Sequence, residues 1–82
     1  MSSVGIFEQV VEVVGRYAKD ADALKAVTME TNILKDLKVN STRLVDVILE
    51  FEDRFKLQIS DEDADHINTV GDAVKLLERL IN

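Results

Sequence analysis

The stretch Asp36-Leu37-Lys38-Val39-Asn40-Ser41-Thr42-Arg43-Leu44-Val45-Asp46 holds the side chains best placed to do chemistry in this 82-residue chain. Three consecutive polar residues, Asn40, Ser41 and Thr42, stand before an apolar series at helical spacing, which is the pattern of a helix start. Backbone N–H groups at such a start lack intrahelical partners, and the helix dipole favours negative charge there. A phosphodiester on the Ser41 hydroxyl would be electrostatically well placed, and an exposed position would let a modifying enzyme reach it. The same residues have a plainer use. Ser41, or Asn40 before it, can cap the helix by accepting from those N–H groups, and spacing by itself favours the cap.

Other candidate sites are weaker. Asp46, Glu50, Glu52 and Asp53 lie on or beside the helix that follows Ser41 and read as an ordinary solvated face unless a basic partner meets them. Asp61, Asp63, Asp65 and Asp72 fall at positions 1, 3, 5 and 12 of a possible calcium loop. That loop requires Gly at its sixth position, where His66 stands, and prefers Glu at its last, so a metal is not expected. Acids gathering at a helix start account for the first three. Asn40-Ser41-Thr42 spells a glycosylation acceptor, which has no meaning without a secretory signal. His66 has no second imidazole or nucleophile pattern beside it. The absence of cysteine excludes disulfides, thiolate nucleophiles and Cys-based zinc sites.

The elements that must position these residues read as helices. Ile6, Val10, Val13, Val14 and Tyr17 share one helical face, predicting a first helix over about 3–17 with Ser2 or Ser3 as its cap. Lys19 to Thr31 has no clean period and predicts a long loop or short extra turn, pinned by Leu24 and Val27. Leu44, Val47, Ile48, Phe51 and Phe55 predict a second helix over about 41–56. Ser60-Asp61-Glu62-Asp63 is a cap followed by first-turn carboxylates, predicting a short third helix at about 61–66. Thr69 caps a fourth at about 70–81, with Val70, Val74, Leu77 and Leu80 or Ile81 inward. The expectation is an all-α, small four-helix bundle with a long loop between helices I and II and a short helix III, forming a single domain over 1–82. Phe7, Tyr17, Phe51 and Phe55 are expected to pack in its core.

Composition agrees. Hydrophobic residues are 46% and charged residues 32%, a globular balance, while no proline and three glycines leave little turn chemistry for a sheet protein. The net charge of −6 opposes nucleic-acid binding and favours partners with basic patches. Residues 1–40 carry six acids and five bases, and 41–82 carry ten and five, so the excess sits in the second half. A chain this short has a thin core and no room for a deep catalytic cleft, which suits a binding or carrier module better than an enzyme. No apolar run approaches a membrane span, and the N-terminus does not read as a signal peptide, so a cytoplasmic monomer is expected.

The run from Asp36 to Leu80 resembles the acyl carrier protein family without a gap. The family's aspartate-leucine-glycine approach appears as Asp36-Leu37-Lys38, and its modified serine falls on Ser41, with Asn40 and Thr42 where the family has aspartate and leucine. Val45-Asp46-Val47 and Phe55 match the second helix. Ile59-Ser60-Asp61-Glu62-Asp63-Ala64-Asp65-His66-Ile67-Asn68-Thr69-Val70-Gly71-Asp72-Ala73-Val74 is similar to the third helix and the start of the fourth almost residue for residue. The resemblance implies 4'-phosphopantetheine attached covalently to Ser41, its terminal thiol carrying acyl groups as thioesters. It also implies docking of a phosphopantetheinyl transferase, and of acyl-transferring or synthase enzymes with basic patches, on Asn40, Thr42, Arg43, Asp46, Ile48, Leu49 and Asp53. Leu44, Val47, Phe51, Ile67 and Leu77 are its candidate acyl-pocket residues, and would serve equally as plain core. The departures Asn40, Thr42 and Arg43 neutralise one acid, make one apolar contact polar and reverse another charge. They point to a specialised carrier or, alternatively, to an unmodified helical adaptor that docks partners through the same acidic helix.

Overall fold

In the computed structural model, which describes residues 3–20 and 22–81, four α-helices follow one another: α1 (Ser3–Gly15), α2 (Leu44–Phe55), α3 (Asp61–Asp65) and α4 (Val70–Ile81). Single 3-10 turns stand at Ala23–Ala26 and Ser41–Arg43. The apolar stripe of each long helix explains the packing. Ile6, Val10, Val13 and Val14 from α1 meet Val70, Ala73, Val74 and Leu77 from α4, while Val47, Ile48 and Phe51 supply α2's share of the same core. Ile33, Leu37, Val39, Ile59 and Ile67 fill the remainder from the connections. Burying a side chain such as Phe51 or Leu77 completely contributes about 1.5–3 kcal/mol, so these few residues carry the bundle.

The first helix is shorter than its apolar pattern predicts. It closes at Gly15, and Arg16 and Tyr17 donate backbone N–H bonds to Val13 and Val14 at 3.2 and 3.1 Å, the tighter spacing common in a last turn. Ser3 is already the first residue of α1, and the cap expected at Ser2 lies outside the described residues. At the other end of the molecule Leu80 is half-buried and Ile81 exposed, which settles the choice between them.

The long connection from Arg16 to Asn40 is tied down by its main chain. Ile33 donates to Asn68 at 3.0 Å, Val70 donates to Thr31 at 2.9 Å and Gly71 donates to Met29 at 2.7 Å, so the loop runs antiparallel to the start of α4 with Asn32 bridged to Thr69. Gly71 is required there: a Cβ on it would lie 2.7 Å from the Met29 carbonyl oxygen. Asn32 and Asp36 close a small turn, the Asn32 N–H donating to Asp36 Oδ2 and the Lys35 N–H to Asn32 Oδ1, both at 2.8 Å. Lys38 then takes φ 57°, the left-handed region, before Val39 delivers the chain to Asn40. The glycine that the resemblance places at this point has a conformational reason, and Lys38 adopts the same geometry at some steric cost.

Candidate functional site

α2 begins more tightly than its sequence predicts. The expected helix over 41–56 is a 3-10 turn at Ser41–Arg43 followed by α-helix from Leu44 to Phe55, with Lys56 left-handed at its end. Asn40 is the cap. Its backbone is extended, and its Oδ1 accepts from the Thr42 N–H at 3.0 Å and from the Thr42 hydroxyl at 2.9 Å, while the Arg43 N–H donates to the Asn40 carbonyl at 2.8 Å. A cap that bonds two residues ahead pulls the first turn into the tighter spiral. Ser41 is left over. It is exposed, and its hydroxyl makes no hydrogen bond among the described residues.

Ser41 opens onto a groove of about 280 Å³ between α2 and α3, lined also by Leu44, Val45, Ile48, Asp61, Ala64 and Asp65. Ser60 places the α3 wall: its hydroxyl accepts from the Asp63 N–H at 3.1 Å, the cap foreseen from the sequence, and α3 closes at Asp65 with His66 as its exposed C-cap. The floor is apolar and the rim on the α3 side carries two carboxylates. A free hydroxyl on an exposed turn, unobstructed by a neighbouring bond, is what a covalent phosphate linkage needs, so the residues present fit phosphopantetheine at Ser41. The group supplies a thiol on a long arm; the chain supplies its anchor, its exposure and the surface around it.

The other expected site residues divide by burial. Val47, Phe51 and Leu77 are completely buried and Ile67 nearly so, and the first three line no groove beside Ser41; only Leu44 of the five pocket candidates does. Ile48, expected beside Leu49 as an apolar docking contact, is 9% exposed and turns into the groove wall, because it lies on α2's core stripe. Leu49 is 56% exposed, and its companion one turn earlier is Val45, at 62%. Sequence reading missed Val45 as a surface residue, although its four-residue spacing from Leu49, off the core stripe, was the available signal.

The acids of α2 also sort themselves. Glu50 faces α1, where Arg16 donates to it at 2.8 Å and the Tyr17 hydroxyl at 3.4 Å. Arg54 completes the cluster on Glu12 at 3.2 Å; its hydrogen bond and charge hold the Glu12 carboxyl below the usual range. Glu52 folds back to accept from the Ile59 N–H at 2.7 Å. Asp53 remains exposed, and Asp46 is half-exposed with Arg43 at 3.2 Å. Two of the four carboxylates of the supposed calcium loop are committed elsewhere: Asp63 pairs with Arg79 at 3.1 Å, and Asp72 accepts from the Asn68 and Thr69 N–H groups at 3.0 Å each. Partial burial pushes the Asp72 carboxyl up, but those bonds, the Thr69 hydroxyl and the Lys75 charge outweigh it and hold it below its ordinary value.

An exposed serine at the start of an acidic helix, with α3 lining the groove beside it, fits a carrier domain for a covalently attached arm. The family model described as the phosphopantetheine attachment site matches residues 8–77. The chain is similar to the solved acyl carrier protein from Enterococcus faecalis, with 32% identity and a TM-score of 0.79, covering 98% of this chain and 99% of that one. The chain belongs to the acyl carrier protein family. Its cofactor is phosphopantetheine, and it is a carrier that works with transferases and synthases, not an enzyme. No helix among the described residues is long and apolar enough to cross a membrane.

Proposed function

We propose that Ser41 is the attachment point for phosphopantetheine, and that the whole chain acts as one cytoplasmic, monomeric carrier domain presenting acyl thioesters to fatty-acid, lipid or polyketide-type enzymes. The observation that supports this most is the division of roles at the start of α2. Of the two residues that the plainer reading offered as the cap, Asn40 is the one that caps, so the serine hydroxyl has no structural duty left. Docking falls on Leu49 and Val45, apolar and exposed, flanked by Asp46 and Asp53. Desolvating the two apolar side chains supplies affinity, and the acids steer basic partners and fix their register. An acyl chain would enter by the groove at Leu44 and Ile48. Deeper shelter would require Val47, Phe51, Ile67 and Leu77 to part, which a thin core permits at modest cost.

Coexpression with a panel of phosphopantetheinyl transferases, followed by intact-mass measurement, tests the reading. The expected result is the gain of one phosphopantetheine by the wild type and none by Ser41→Ala. Unmodified mass with every transferase would overturn it in favour of the adaptor, whose support is the altered trio Asn40, Thr42 and Arg43.

A further inference from the structure

α2 carries four carboxylates, and the fold engages three of them. Glu50 is taken by Arg16 at 2.8 Å, Glu52 by the Ile59 N–H at 2.7 Å and Asp46 by Arg43 at 3.2 Å. The Asp53 carboxylate is exposed and has no ion pair or side-chain hydrogen bond among the described residues; Lys56, three residues on, makes no ion pair with it. Asp46 and Asp53 flank Leu49 at i, i+3 and i+7 on one helical face, so the sequence pattern treats the two acids alike. The structure does not. Asp53 also borders a groove of about 650 Å³ at the far end of α2, where Leu49, Leu57 and Ile59 supply apolar surface and Asp53, Gln58 and Ser60 polar surface. The chain reverses there. Lys56 takes φ 57°, and the Leu57 N–H donates to the Glu52 carbonyl at 3.2 Å, which holds Leu57 beside the last turn of the helix.

We propose that the phosphopantetheinyl transferase acting on Ser41 docks at this far end of α2, with an apolar side chain in the groove and a lysine or arginine on Asp53, and that Arg43 withholds Asp46 from it. This rests on the reading of Ser41 given above and narrows its docking surface from two acids to one. A basic group approaching Asp46 must displace Arg43 and meets its positive charge. One approaching Asp53 meets an open carboxylate beside apolar surface that the contact would desolvate. The distance suits a single enzyme. Asp53 lies about 18 Å from Ser41 along the helix at about 1.5 Å per residue, and an interface of about 800 Å² per partner is roughly 30 Å across. Arg43 thereby selects partners: an enzyme that needs carboxylates beside the modified serine is disfavoured, and one that grips the other end of the helix is accepted.

The test uses the full unmodified chain and whichever phosphopantetheinyl transferase in a panel modifies it fastest, at low salt. Asp53→Asn should lower kcat/KM by about fivefold with kcat little changed and the gap closing as salt rises, while Asp46→Asn stays within about twofold of the wild type. Arg43→Ala should raise kcat/KM by about threefold, and the gain should vanish when Asp46→Asn is added, since it comes from the carboxylate set free. The chain has no cysteine, so Gln58→Cys allows a single bulky maleimide to be placed at the groove. Alkylation should slow modification by about fivefold against the same variant left unalkylated, because it obstructs the seat of the apolar side chain. An unchanged thermal midpoint verifies the fold of each variant. Asp46→Asn costing as much as Asp53→Asn, an Arg43→Ala gain that survives Asp46→Asn, or alkylation without effect would overturn the proposal and leave the Ser41 reading intact. Failure of every transferase to modify Ser41 would overturn both.

Discussion

At the start of α4, every free N–H has a partner: Asn68 and Thr69 donate to Asp72, Asp72 to the Thr69 hydroxyl at 3.1 Å, Val70 to Thr31 and Gly71 to Met29. At the start of α2 one short side chain, Asn40, closes a single tight turn, and nothing from another element reaches it by a backbone bond. Both segments open with the same kind of sequence, polar residues ahead of an apolar stripe. One start is buried under a loop and carries the attachment of that loop to the bundle. The other stands at the surface and leaves a hydroxyl unused. The comparison shows that a helix N-terminus keeps a hydroxyl free and exposed when its cap is supplied by a neighbour and its first turn is kept out of the core.

Gly71→Ala should sharpen that contrast most. Its Cβ would press on the Met29 carbonyl, so the loop must move, and a loss of about 1–3 kcal/mol is expected in denaturant unfolding despite alanine's better helix propensity. Asp72→Asn should cost about 1 kcal/mol at neutral pH by weakening the reciprocal cap. It should also flatten the acid limb of the stability profile. The Asp72 carboxyl is held below its unfolded value, so its contribution is present above about pH 4 and is lost as pH falls through the lower folded value. A wild-type profile no steeper than the variant's in that window would remove the argument.

Asn40→Ala, at the exposed start, should cost roughly 0.5–1 kcal/mol, less than the changes at α4 because no second element depends on it. Lys38→Gly should stabilise by about 0.5–1 kcal/mol, relieving a left-handed lysine. Ser41→Ala should change the thermal midpoint least of all, within about 0.5 kcal/mol, since the hydroxyl has no structural partner. If instead Ser41→Ala destabilised as much as Asn40→Ala, the two starts would differ less than the hydrogen bonds indicate.

The helices were legible in the sequence because their apolar stripes and caps are local. Ser60 and Thr69 cap as their positions predict, and α4 spans the expected residues. Ser41 could be singled out, but spacing could not decide between it and Asn40. That choice depends on the direction of one amide side chain. The loop's attachment to α4 was not legible, because it is made by main-chain groups that every residue carries; only Gly71 beside Thr69 hinted at a close approach. The sequence left Glu50 and Glu52 undecided between a solvated face and docking, and only the position of Arg16 and of the Ile59 N–H reveals that both serve the fold. Arg16, Tyr17 and Lys19 meet Asn40 and Arg43 along one groove although they come from two separate parts of the chain, which no local pattern connects.

Fragment-ion mapping of the chain after reaction with a phosphopantetheinyl transferase bears most directly on the central claim, because two adjacent hydroxyls compete for the same group. Thr42 is tied to Asn40 and Ser41 is free, so the added mass should reside on Ser41 alone. Finding it on Thr42, or on neither residue with any transferase, would contradict the account.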